Sequence, residues 1–411
     1  MIGSHTFSSL RHRDFRLFWF GSLLSEVGTQ MQVVAINWQV YELTGSAVSL
    51  GLVGLASFLP IPVFALLGGL FADRADRKKL LIYCQVFQAV IAAALAATTH
   101  AAIISPLLIY AMVLMTYVAR TFQAPARQGI IPHLVPRSDF LNAVSLSTLV
   151  RQGAIVIGPA IAGFMIEFGR VKVVYLSNAL SFVLLVAALL PVRIVPPNSE
   201  SVVTFSLGSV LEGIHFVRRN PILLSTMILD FLANFFASAL TMLPIFAKDI
   251  LGQGAAGLGL MYAAPSVGAI ITGLFMASRT RLKRPSQVIV VGVILYGLAT
   301  IGFGLSSVFH LSLVFLALIG AGDMISTVLR NTIRQLITPD EIRGRMVAVN
   351  MVFIQGGPQL GELEAGLAAA AFGAPVSVVI GGLGAVISAI AVYRLVPQLR
   401  DYQTGEGVIE K

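Results

Sequence analysis

Runs of about 20 predominantly apolar residues, the length that carries a helix across about 30 Å of hydrocarbon, recur along the whole chain. They predict spans near 15–41, 47–72, 79–98, 103–126, 139–168 and 171–190. A second set is expected near 221–247, 255–278, 285–306, 309–333, 342–371 and 375–396. Only 11% of residues are charged, 56% are hydrophobic and the mean hydropathy is +0.86. Water would not tolerate that surface on a soluble domain. The expectation is an all-α membrane protein with twelve transmembrane helices. The first apolar block follows "LRHRDFR", is too long for a signal-peptide core and lacks a small-residue cleavage site, so it is expected to stay in the membrane. Cys84 is the single cysteine and the 6 histidines lack metal-ligand spacing. These are read as packing or surface residues, and no cofactor or metal is expected.

Between the two sets lies "PVRIVPPNSESVVTFSLGSVLEGIHFVRRNP". Its prolines break the helix, and Leu207, Val210, Leu211, Ile214 and Val217 then recur at helical spacing. This predicts an amphipathic helix at the membrane surface. The expected organisation is an N-terminal six-helix half (1–190), a cytoplasmic linker with that helix (191–220) and a C-terminal six-helix half (221–411). With the amino terminus in the cytoplasm, most of the 28 Lys and Arg fall on the cytoplasmic side, Arg127, Arg330 and Arg334 among them. Only Arg170, Lys172 and Lys248 fall outside, and Arg120 and Arg151 within spans. The positive-inside rule then places both termini in the cytoplasm of a multi-pass inner-membrane protein. The excess base faces anionic lipid, and no nucleic-acid module is present to claim it.

The halves repeat each other. A shift of 203 residues pairs Arg127 with Arg330, Pro136 with Pro339, Gly158 with Gly361 and Gly163 with Gly366, while a shift of 204 pairs Arg77 with Arg281. With an even number of spans per half, the repeats are parallel, related by an axis along the membrane normal. Such an arrangement suits alternating access to one site.

The stretch "GGLFADRADRKK" between spans two and three resembles the G-x-L-a-D-R-x-G-R-K signature of the major facilitator superfamily, with Asp76 in place of a glycine. "YELTGSAVSLGLVG", "PARQGIIPHLVP" and "GPAIAG" resemble its enterobactin exporter and macrolide efflux branch. The resemblance covers nearly the whole chain and implies a secondary transporter; a monomer is expected, and with no Ser/His/Asp or metal constellation apparent, an enzyme is not. In that family the loop latches the two halves in the outward-open state. Carried over, Gly69, Asp73, Arg74 and Arg77 would form a cytoplasmic gate motif, with Asp73 meeting the helix that begins near Arg343. The plainer reading is that the loop's basic residues only fix topology.

Charges inside spans are costly and mark candidate sites. Glu26 and Gln30 lie one helical turn apart in span one, and a shift of 204 lands them on Asp230 and Asn234 in span seven. Arg120 in span four falls, at a shift of 203, on Asp323 in span ten. The resemblance implies that spans one, four, seven and ten line a central cavity, so these side chains are candidates for contact with substrate or protons. Structural pairing is the alternative. "RTFQA" resembles the R-x-x-Q-G pattern of proton-coupled members, with Ala124 for glycine. Gly158, Pro159 and Gly163 resemble the exporter-type G-P-x-x-G-G motif, with Ala162 for one glycine, and a packing role fits them equally. Arg151 is read as a partner for an acid or for substrate. Glu362 and Glu364 are two positions apart, so at most one faces a cavity.

No G-x-x-x-x-G-K-[ST] phosphate loop occurs. A proton crossing about 100 mV releases about 2.3 kcal/mol, and one pH unit adds about 1.4 kcal/mol. Together these sustain a gradient of roughly several hundredfold. The expected function is export of a small amphipathic molecule (drug, siderophore or related metabolite) by proton antiport. The expected partners are that substrate, protons and membrane lipid. The alternatives are an importer or uniporter of the same fold, or the membrane subunit of an ATP-driven pump.

Overall fold

The computed structural model describes residues 7–64, 76–192, 207–278, 284–339 and 342–401. Among them the regular elements are helical. The first part of the chain forms α1 (Arg13–Thr44), α2 (Ala47–Phe58), α3 (Arg77–His100), α4 (Pro106–Ile130), α5 (Phe140–Glu167) and α6 (Val171–Leu189). The second forms α7 (Leu207–Arg219), α8 (Pro221–Phe236), α9 (Gly254–Ala277), α10 (Pro285–Leu305), α11 (Phe309–Ile337), α12 (Arg343–Phe372) and α13 (Ala374–Leu395). Ten helical stretches of the described residues are long and apolar enough to cross a membrane. Helices α1 and α12, 32 and 30 residues long, are also long enough to span and carry more polar side chains.

Local chemistry starts several of these helices. Ser105 accepts a hydrogen bond from the Leu108 amide ahead of Pro106, and Asn220 does the same for Leu223 ahead of Pro221. Both pairs satisfy an orphan amide with a side chain and place proline where no amide is needed. Asp76, which replaces the signature glycine, accepts from the amides of Lys78 and Lys79 and caps α3. Pro125, Pro159, Pro265 and Pro358 lie inside helices, as neighbouring helices in a membrane allow.

The chain packs as two units. The first comprises Met1–Thr44, Leu59–Phe205 and Gly254–Ala263; the second comprises Gly45–Phe58, Ser206–Gln253 and Ala264–Lys411. In the first unit α1 packs on α5 and α6, and α3 packs on α4 and α6. Phe15, Phe18, Leu81, Leu146 and Leu185 form part of its apolar core. Several of its buried polar groups are paired: Asn178 donates to Gln32 at 2.7 Å, Tyr175 to Gln39 at 2.8 Å and Gln39 to Thr99 at 3.1 Å, whereas the Ser22 hydroxyl and the Gln85 amide have no partner among the described residues. Such pairing offsets the cost of taking amides out of water.

In the second unit α10 packs on α11 and α13, α12 packs on α2 and α8, and α7 lies along α12. Of the apolar stripe expected on α7, Val217 is buried against Met227, Met346 and Val349, whereas Ile214 is exposed. The side chains of Leu207, Val210 and Leu211 lie outside the described residues.

The glycines of the span-five motif sit at close helix crossings. A side chain on Gly158 would meet Gln30 and Val27 of α1, and one on Gly163 would meet Ala255 and Gly259 at the start of α9. Their repeat equivalents behave alike in the second unit: Gly361 faces Phe235 of α8 and Ser238 just beyond it, and Gly366 faces Ala47 and Gly51 of α2. Small residues at these four places let backbones touch. Pro159, between the first pair, is buried, and its carbonyl is 2.5 Å from where a Cβ on Gly259 would stand.

Candidate functional site

Each unit holds one polar constellation built on equivalent helices. In the first, Arg127 near the end of α4 is paired with Glu26 of α1. The two side chains are 20% and 16% exposed. In the second, Arg330 of α11 donates to Asp230 Oδ1 of α8 at 2.8 Å, and Arg334, one turn further, donates to Oδ2 at 3.2 Å. Here the arginines are 1% and 2% exposed and the aspartate 9%. Around them Arg330 also donates to Ser326 and Thr327, and Arg334 to the hydroxyl and carbonyl oxygens of Thr226. Asp230 is thus held by two cations in a network that leaves one buried donor, Arg330 Nε, without a partner among the described residues.

Arg127, Arg330 and Arg334 belong to the base expected on the cytoplasmic side, and the structure gives them a further role as partners of acids. They turn inward to meet acids, because a carboxylate inside a span is tolerable only where a cation compensates it. The repeat carried the signal: Arg127 and Arg330 are equivalent at a shift of 203, and Glu26 and Asp230 at 204.

The other expected site residues divide. Asp323 joins the second constellation, 3.9 Å from Arg330, with its side chain 47% exposed and accepting from Thr327. Arg120, its equivalent, has no ion-pair partner among the described residues, and its guanidinium lies 5.1 Å from the centroid of the Tyr117 ring. Asn234 donates to both the backbone and the carboxylate of Asp230. Gln30 makes no such bond to Glu26 and packs at the Gly158 crossing instead. Arg151 is exposed and is not drawn to either constellation.

Of the loop motif, Gly69, Asp73 and Arg74 lie outside the described residues. Arg77 donates to the Gly129 carbonyl at the end of α4 at 3.0 Å, and Lys78 donates to the carbonyls of Leu190 and Val192 beyond α6. Cations so placed satisfy helix C-termini and complement their dipoles.

A cavity of about 570 Å³ also opens in the first unit, lined by Trp38, Glu42, His100, Glu167 and Lys172 among others. Trp38 is about 18 Å along α1 from Glu26 at 1.5 Å per residue, so this cavity is separate from the ion pair. Glu167 on its wall accepts from the Ala256 amide at 3.0 Å and caps α9. No cluster of three or more His, Cys, Asp or Glu that could hold a metal occurs among the described residues.

The family described as "Transmembrane secretion effector" matches residues 4–405. The chain is 27% identical over 398 residues to the enterobactin exporter EntS of Citrobacter koseri, covering 95% of this chain and 94% of that one. It is 27% identical over 386 residues to the enterobactin exporter EntS of Shigella boydii, covering 92% and 87%. Among solved structures, a bacterial homologue of the human lysosomal transporter Spinster, inward-facing and unoccupied, superimposes with a TM-score of 0.77 at 14% identity over 94% of this chain and 97% of that one. A bacterial homologue of the iron transporter ferroportin, inward-facing, gives 0.70 at 14% identity over 93% and 98%. At that identity the likeness speaks for the fold alone. With the family matched across nearly its whole length and acid–arginine pairs repeated on equivalent helices, the chain belongs to the transmembrane secretion effector family of the major facilitator superfamily and is a multi-pass membrane transporter, not an enzyme.

Proposed function

We propose that the protein exports a small amphipathic molecule, of the siderophore or drug class, from the cytoplasm in exchange for protons by alternating access. The observation that carries this reading is the duplicated acid–arginine pair: Glu26 with Arg127, and Asp230 with Arg330. Buried pairs of this kind are expensive to build and add little stability over an apolar core, so their repetition in membrane helices argues for use. A carboxylate and a guanidinium that meet in one conformation and part in another change the local charge balance, which is what coupling to a charged or protonated species requires.

Direction is supported by the relatives, which are named as enterobactin exporters. Orientation is supported by the distribution of Lys and Arg, which favours both termini in the cytoplasm. The repeats 1–190 and 221–411 are the bodies we take to alternate, with 191–220 as their linker, and the loop from Gly69 to Arg77 is the gate we take to latch them.

The test is accumulation of enterobactin and of a macrolide in cells with and without the protein. Lower accumulation with the protein, reversed by an uncoupler, is the expected result. Accumulation raised by the protein would mean import.

A further inference from the structure

We infer that Glu362, at the crossing of α12 with α2, is the group that binds and releases the exchanged proton. The inference rests on the proton-antiport reading above and moves the proton from Glu26 and Asp230 to a different residue.

Three of the acids inside the described spans are compensated by cations. Glu26 has Arg127, Asp230 has Arg330 and Arg334, and Asp323 has Arg330 and a hydroxyl from Thr327. These three carboxyls are each engaged by a cation. Glu362 differs, because no hydrogen bond or ion pair reaches its carboxyl among the described residues.

The carboxyl is nevertheless seated. A Cβ added to Gly54 of α2 would stand 2.5 Å from both Cβ and Oε2 of Glu362, so the absent side chain makes room for the acid. On either side the two backbones close up. A Cβ on Gly51 would be 2.9 Å from the Glu362 carbonyl, and one on Gly366 would be 3.0 Å from Gly51 Cα. Three residues before Glu362, on the same face of α12, Gln359 has a buried Oε1 without a partner. That orphan acceptor suits a neighbouring O–H, which a carboxylic acid has and a carboxylate lacks.

The surroundings supply no competing charge. Helix α2 contains no titratable residue, and α8 contributes only Asp230, already held by two arginines. Helix α13 has Tyr393 and Arg394 at its far end, and α7 carries Glu212, His215, Arg218 and Arg219 beside the start of α12. The turn 239–242 has none. On α12 itself Glu364 points away, two positions on, and Arg343 and Arg345 lie in the first turn.

The exchange balances simply. One proton from water bonds to a Glu362 carboxylate oxygen and neutralises it, which lets the α2–α12 crossing close dry. When the crossing opens and water reaches the acid, the O–H bond breaks, the proton leaves and the charge returns.

The test uses the full-length protein in lipid nanodiscs with no substrate, read by pH-difference infrared spectroscopy. Acidification should produce a carboxylic-acid C=O band that Glu362→Gln removes, Glu362→Asp and Gly54→Ala shift, and Glu364→Gln leaves in place. Spectra of Glu362→Gln and Glu362→Asp that superimpose on wild type would overturn the inference. In inside-out vesicles with an acidic lumen, Glu362→Gln should lose gradient-driven enterobactin uptake but keep exchange of labelled for unlabelled enterobactin at zero gradient. Wild-type uptake that ignores an uncoupler would defeat the antiport reading itself. Uncoupler-sensitive uptake that persists in Glu362→Gln would defeat only the assignment of the proton to Glu362.

Discussion

The two constellations are built on the same plan and differ in how tightly they are closed. In the first unit one arginine meets one acid, and both stay about one-sixth to one-fifth exposed. In the second, two arginines grip one aspartate in near-complete burial, and a second aspartate stands half exposed beside them. The repeat locates the substitutions responsible. The position equivalent to Arg334 is Ile131, and the one equivalent to Asp323 is Arg120. The first site therefore has a cation to spare, lying against Tyr117, and the second balances its charges internally. The same plan thus leaves one pair partly exposed and encloses the other.

The sharpest way to break this contrast is Asp230→Asn. It strands Arg330 and Arg334 without their shared carboxylate, and removing one partner of a buried pair costs about 3–5 kcal/mol. Thermal unfolding in detergent should show a large loss, and an unchanged midpoint would mean that burial of the second site adds no dependence on its carboxylate. Next come the glycine crossings. Gly163→Ala and Gly366→Ala should each cost about 1–3 kcal/mol by overpacking, since a Cβ would stand 2.5 Å from the Ala255 carbonyl in one and 2.8 Å from the Ala47 carbonyl in the other. Equal losses would confirm the two crossings as equivalents. Glu26→Gln should cost about 1–2 kcal/mol, between the values for exposed and buried pairs, and leave a folded protein. A loss as large as that of Asp230→Asn would erase the proposed difference. Smallest is Tyr117→Leu, which removes a cation–π contact of about 0.5–1 kcal/mol and should barely move the midpoint.

The length of apolar runs is set by the bilayer, so the expected span near 285–306 and the helix Pro285–Leu305 agree to within a residue. The equivalence of Glu26 with Asp230 was readable because duplication preserves spacing. Spacing does not identify their partners, because which arginine meets which acid depends on how α4 and α11 rotate against α1 and α8. Arg127 lies seven residues beyond Arg120, about two turns, and so presents nearly the same face of α4. At the helix end it looked like ordinary topogenic base. The exporter-like glycines read equally as packing or gating, and at Gly158 and Gly163 the crossings have the form that packing demands.

Proton-coupled export has a direct test in vesicles. Inside-out vesicles with an acidic lumen, containing the protein, should take up enterobactin, and an uncoupler that dissipates the gradient should abolish that uptake. Protein-dependent uptake that continues at the same rate and extent after the gradient is gone would contradict proton-coupled export and leave a uniporter in its place.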